Sequence, residues 1–185
     1  MTARDYEIEL ELMRLREKRR RKKFLLGLAA WCAAIWAVLH FLFGIAVVEG
    51  NSMRPAFLPG DIVLYKRGTS GGLSCKDVVL VDTALHETVI KRIAGLPGDV
   101  IDVDGKGHLM RNGEAVREPE VLFGDQTSDA EISFPFTVPD GEYFFLGDNR
   151  PVSLDSRVLG TAGGKDIRGK VVALFRAGAW AGKTR

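Results

Sequence analysis

The sequence predicts a mainly β domain, its antiparallel sheets folded into a barrel or sandwich, preceded by one N-terminal transmembrane helix. Three observations carry that expectation. Phe24 to Val48 is a run of 25 residues without Asp, Glu, Lys or Arg, and about 20 apolar residues suffice to cross the hydrocarbon core. Beyond it, short apolar runs alternate with Gly, Pro, Asp and Asn, the pattern of strands and turns. Asp104-Gly105 and Asn112-Gly113 flank His108-Leu109-Met110-Arg111, a signal for two tight hairpin turns. No run of helical period is long enough to supply the crossovers of a parallel sheet.

Residues 1 to 23 carry nine basic and five acidic side chains. Within them Tyr6 to Leu15 reads as a short helix, and Arg14 to Lys23 concentrates eight basic residues and one acid directly before the apolar run. By the positive-inside rule that placement keeps the N-terminus cytoplasmic and sends everything after Val48 outside. A removable signal peptide has an apolar core of only about 7 to 15 residues, so the run reads as a retained anchor. The expected organisation is a cytoplasmic basic segment at 1–23, a transmembrane anchor helix at 24–48 and an extracytoplasmic domain at 49–185. On that division the domain carries 17 basic and 19 acidic residues, which excludes the basic surface a nucleic-acid-binding domain requires.

The outer segment is long enough to bury a single core. Its strands read as Ile62–Tyr65, Val78–Val81, Thr88–Ile93, Val100–Val103, Tyr143–Leu146 and Val171–Phe175. Arg117 to Asp140, with Pro119, Pro135 and Pro139, reads as an irregular excursion. Cys32 lies in the anchor and Cys75 in the outer domain, so the two do not pair with each other, and Cys75 reads as a partly buried free thiol. No metal-ligand spacing appears and no cofactor is implied. His86 and His108 sit beside turn signals and read as surface residues. Ala56-Phe57-Leu58 and Trp180 are candidates for dipping into the membrane interface, with ordinary core packing as the alternative.

The chemistry centres on Ser52, only four residues beyond Val48, and on Lys91. Alternation in Thr88-Val89-Ile90-Lys91-Arg92-Ile93 puts Lys91 on the face of Val89 and Ile93. If that face is the core, burial disfavours the ammonium and lowers the lysine pKa by several units from about 10.4. The magnitude matters, because an unperturbed lysine is neutral in only about one molecule in 2,500 at pH 7. A neutral lysine can take a proton from a serine hydroxyl, the Ser-Lys form of nucleophilic catalysis. From the pattern alone, a lysine facing solvent on an edge strand is the competing reading.

Gly50-Asn51-Ser52-Met53-Arg54-Pro55, then Pro59-Gly60-Asp61-Ile62-Val63, Ile90-Lys91-Arg92-Ile93-Ala94-Gly95-Leu96-Pro97-Gly98-Asp99 and Gly147-Asp148-Asn149-Arg150-Pro151-Val152-Ser153-Leu154-Asp155-Ser156-Arg157 together resemble the bacterial type I signal peptidases. They stand in the family's order behind an N-terminal anchor. The resemblance implies a membrane-anchored serine endopeptidase that removes signal peptides from exported preproteins, with Ser52 as nucleophile and Lys91 as general base. It also implies that Ser153 helps hold the lysine amine, that Asp155 and Arg157 form an ion pair that keeps the site in shape, and that Met53 and Pro55 shape the substrate cleft. Gly147 to Arg150 read as a backbone turn, as do Asp61 and Asp99 after their glycines.

Two departures stand out. Gly50 occupies a position where some members carry a serine that donates to the oxyanion, and Pro151-Val152 replaces a pair often more polar. Between Asp102 and Gly141 the resemblance is slight. The implied partners are signal-peptide-bearing preproteins and the lipid bilayer of the plasma membrane. A contrasting reading is a catalytically silent, membrane-tethered β-domain that binds exported chains.

Overall fold

The computed structural model describes residues 3–69, 72–104, 106, 108–124 and 132–176. Trp180 and Gly105, singled out above, lie outside the described residues. The chain divides into two units, Met1–Leu42 and Phe43–Arg185. The first contains a helix, α1, over Ala3–Leu42. Within it Arg16–Leu42 is long and apolar enough to cross a membrane, with a mean hydropathy of 2.0 and none of that window buried by protein.

The second unit is mainly β and antiparallel, in a curled, half-barrel or sandwich-like arrangement, as expected. Its strands are β1 (Phe43–Val47), β2 (Ile62–Arg67), β3 (Val78–Asp82), β4 (Thr88–Gly95), β5 (Val100–Val103), β6 (Leu109–Arg111), β7 (Glu114–Ala115), β8 (Phe136–Thr137), β9 (Glu142–Leu146), β10 (Ala162–Gly163) and β11 (Ile167–Phe175). A short helix, α2, occupies Ser156–Leu159. One sheet runs β1-β2-β11-β3-β4-β9-β10 and a smaller one β7-β6-β5-β8. Asn112 and Gly113 both take positive φ, 54° and 82°, the geometry of a two-residue hairpin turn between β6 and β7.

One boundary differs from the sequence reading. That reading runs the anchor to Val48, but the helix ends at Leu42 and Phe43–Val47 is an edge strand paired with β2. Ser52 is therefore ten residues beyond the helix end, not four. The helix also starts at Ala3, so the basic segment continues into the apolar one without a break. A wholly apolar run contains no period that separates helix from strand. Gly44 marks the strand after the fact: it lies opposite Tyr65, and a Cβ there would collide with the Tyr65 ring.

Three clusters fill the core. Val79, Val81, Ile93, Phe145 and Ile167 form one; Ile101, Val103, Leu109, Phe144 and Leu146 belong to a second. The third gathers Val48, Met53, Phe57, Val63 and Val78 beneath the loop that carries Ser52. Phe57 is thus a core residue, the packing alternative of the two readings offered for Ala56-Phe57-Leu58, and Ala56 packs partly buried against the same cluster. His86 and His108 are exposed, and Cys75 is a half-buried free thiol whose pKa burial pushes up.

Candidate active site

Ser52 lies on the loop between β1 and β2. That loop is pinned at its base by Val48 N–H donating to Asp61 O (2.8 Å) and Gly60 N–H to Val48 O (2.9 Å). Gly50 has a φ of 72°, which lets the chain turn from β1 into the loop. Asp61 and Asp99 do the backbone work expected of them, accepting from Leu58 N–H and Leu96 N–H at 2.8 and 2.9 Å. Asp61 also pairs with Arg176 at 2.6 Å, and that pairing holds its pKa below the ordinary value.

Lys91 stands in β4 opposite Val79. Ile93, on its face of the strand, is buried, and Lys91 itself is only 2% exposed. Its Nζ donates to Ser52 Oγ at 2.7 Å. Burial lowers its pKa from 10.5 to about 8, against the pull of Asp155 and Asp148, which raise it, and with a smaller push downward from Arg157. At pH 7 about one molecule in ten then carries a free amine. The pair opens on a cleft of about 540 Å³ bounded by Ile45–Gly50 on one side and Glu87–Lys91 on the other. Met53 lines this cleft from the core below. Pro55 is exposed and is not among the lining residues.

Ser153 is buried, but its hydroxyl makes no hydrogen bond to Lys91 or to any other group among the described residues. Its neighbour is Gly147: a Cβ on Gly147 would run into Ser153 Oγ and would sit 2.6 Å from Ser52 O. Gly147→Ala is therefore expected to push on the Ser52 loop and on Ser153 together. Overpacking of this kind costs about 1–3 kcal/mol, and misplacement near 1 Å costs on the order of 10²-fold in rate. A parallel measurement of Tm and kcat checks both.

Asp155 and Arg157 form a buried pair, Nε to Oδ1 at 2.8 Å and Nη2 to Oδ2 at 3.0 Å. Asp155 also caps α2 by accepting from Arg157 N–H, and it accepts from Gly147 N–H at 3.0 Å. Arg157 Nη2 reaches back to Arg150 O at 2.8 Å. The two side chains thus close the loop from Gly147 to Arg157 on itself.

Two further ion pairs, one partly buried and one almost fully buried, are absent from the sequence reading. Arg92 grips Asp148 with two bonds, at 2.7 and 2.6 Å, and Arg150 pairs with Glu118 at 2.6 Å. Arg92 and Asp148 each stand in one of the family-like motifs, so opposite charges in separate motifs are the available signal. Glu118 lies in the irregular segment and offers none. The 147–150 turn is also tied to the Ser52 loop: Asn149 N–H donates to Ser52 O at 2.9 Å and Asn149 Nδ2 to Asn51 O at 3.1 Å.

Comparison with known proteins identifies the family. Residues 21–176 match the family model described as signal peptidase, peptidase S26. The chain is 33% identical over 161 residues to signal peptidase I P of Bacillus subtilis subsp. natto, covering 80% of this chain and 86% of that one. It is 34% identical over 156 residues to signal peptidase I of Bacillus caldolyticus (76% and 85%), and 34% identical over 160 residues to signal peptidase I V of Bacillus subtilis strain 168 (80% and 94%). An apolar N-terminal helix able to span a bilayer once, a curled antiparallel domain and a family match over most of the length lead to one conclusion: the chain belongs to the bacterial type I signal peptidases, membrane-anchored serine endopeptidases of peptidase family S26.

Proposed function

We propose that this chain cleaves signal peptides from exported preproteins with Ser52 as nucleophile and neutral Lys91 as general base. The observation that carries the reading is the 2.7 Å contact between Ser52 Oγ and a buried Lys91 Nζ. With the amine neutral, the hydroxyl donates to Nζ. As Oγ attacks the scissile carbonyl, its proton passes to Lys91, and the resulting ammonium returns a proton to the departing amine. The acyl-enzyme ester is then hydrolysed by a water that Lys91 deprotonates in its turn.

The cleft suits an extended peptide. β1 is an edge strand, and β9 pairs only with the later residues of β4, so Thr88–Lys91 keep one backbone side available. An extended substrate can hydrogen-bond along such edges while alternate side chains enter the cleft. Met53 forms its floor, whereas Pro55 acts on the loop that carries Ser52. Gly50 has no side-chain donor to give the oxyanion, which leaves the Ser52 N–H as the proposed donor. Ser153 fills the space beside Gly147, Asp155 and Arg157 hold its loop, and the site calls on no metal or cofactor.

In this reading the basic helix start remains cytoplasmic and the domain from Phe43 onward lies outside, where a signal peptide's cleavage site emerges beyond its apolar core. Digestion of a detergent-solubilised preprotein, with the cut site mapped, tests the function. Wild type is expected to cut after small residues in an A-x-A-like pattern, and Ser52→Ala is expected to leave the preprotein whole. Cleavage by Ser52→Ala at the same bond would overturn the assignment.

A further inference from the structure

Residues 118 to 124 belong to the irregular segment where the family resemblance is slight, yet they are fastened at both ends, at Glu118 and from Leu122 to Gly124, to the turn behind Ser52. Glu118 Oε1 accepts from Arg150 Nη2 at 2.6 Å, with both side chains almost fully buried. Leu122 brackets the turn with its backbone, donating to Asp148 O at 2.7 Å and accepting from Arg150 N–H at 3.0 Å. Phe123 lies between Arg150 and His108, its centroid 6.0 Å from the guanidinium carbon and 4.6 Å from the imidazole ring. Gly124 touches Pro151 so closely that a Cβ there would collide with the proline ring. Pro151 is itself one of this chain's departures from the family pattern.

The turn that these contacts hold bonds directly to the nucleophile loop through Asn149, at Ser52 O and Asn51 O. Arg150 extends the same path, since its Nε donates to Gly147 O at 3.0 Å and Gly147 packs against both Ser52 O and Ser153.

We infer that residues 118–124 form a strap that positions the Ser52 loop, with Glu118 and Phe123 as positioning residues acting through Arg150 and the 147–151 turn. The inference rests on the assignment of Ser52 as nucleophile. A strap of this kind sets where the hydroxyl sits relative to the substrate carbonyl and leaves the cleft walls, formed by β1 and β4, untouched. Its loss therefore falls on kcat and spares KM, because misplacement of a reacting group raises the barrier without removing substrate contacts.

The test uses the full chain in detergent, with Glu118→Gln and Phe123→Ala measured beside wild type and Ser52→Ala. The first variant removes a charge from a buried pair and carries a folding risk. The second removes a half-exposed ring and keeps the inference testable if the first fails to fold. Each is expected to lower kcat about tenfold or more with KM within about twofold, Glu118→Asp recovering part of the loss. Hydrogen exchange at the Asn149 amide is expected to quicken in both variants, while the amides of β3 and β4 keep their protection. A variant that folds with kcat and Asn149 exchange both at wild-type values would overturn the strap. So would a fall in kcat with Asn149 exchange unchanged, since the effect would then bypass the turn. Activity in Ser52→Ala would overturn the parent assignment instead, and the exchange data alone would then decide whether the strap holds the turn.

Discussion

Lys91→Ala is expected to lower kcat/KM for a preprotein on the order of 10⁴-fold or more, equivalent to about 5 kcal/mol of transition-state stabilisation. The amine is the only base within hydrogen-bond reach of Ser52 Oγ among the described residues, and neither exposed histidine contacts that hydroxyl. Ser52→Ala is expected to fall equally far, and the double variant no further, because nucleophile and base act as a unit. The fold should survive. With a folded pKa near 8 against 10.5 for the free side chain, the unfolded chain binds the extra proton more readily. Stability therefore rises as pH climbs from 8 to 10.5, and below that window the buried ammonium costs about 3 kcal/mol. Lys91→Met, which keeps most of the volume and removes the charge, is expected to be inactive with an unchanged or higher Tm at pH 7. Cleavage that survives Lys91→Met but disappears in His86→Ala or His108→Ala would replace this account with a histidine-based one.

Asp155→Ala is expected to be the most destabilising of the single changes considered, by about 3–5 kcal/mol, the cost of leaving a buried charge without its partner. The carboxylate is fully buried and serves the Arg157 guanidinium, the Arg157 backbone N–H and the Gly147 N–H. Its removal strands the guanidinium. Closure of the loop from Gly147 to Arg157 then falls to the remaining Arg157 bonds to Arg150 O and Ser153 O. For a domain of this size the loss corresponds to a fall in Tm of roughly 10–20 °C. Asp155→Asn, which keeps an acceptor and gives up the charge, is expected to lose less. A change in denaturation free energy below about 1 kcal/mol for Asp155→Ala would show that the pair is not structural.

Much of the fold is legible in the residues alone. Strands β2 to β5, β9 and the second half of β11 announce themselves because β-branched and aromatic runs end at Gly, Pro, Asp and Asn, whose backbone preferences are local, whereas the two-residue strands β7, β8 and β10 are too short to show a pattern. Ser52 and Lys91 stand out through their motifs, and the face of Val89 and Ile93 that carries Lys91 leads to a buried Ile93 and a buried amine. What escapes depends on partners distant in sequence. β1 is hidden because Phe43–Val47 continues an apolar run and shows its strand character only in register with β2. The resemblance has Ser153 holding the amine, whereas its hydroxyl stands beside Gly147 without a bonded partner among the described residues. The strap at 118–124 cannot be read, because much of its grip is backbone, and backbone hydrogen bonds leave little trace in side-chain pattern.

The dependence of kcat/KM on pH, with the chemical step rate-limiting, addresses the central claim most directly. The base must be neutral to accept the Ser52 proton, and burial sets its pKa near 8, so activity is expected to rise about tenfold per unit below that value and to level off above about pH 9. A profile flat from about pH 6 to 10 would contradict the account.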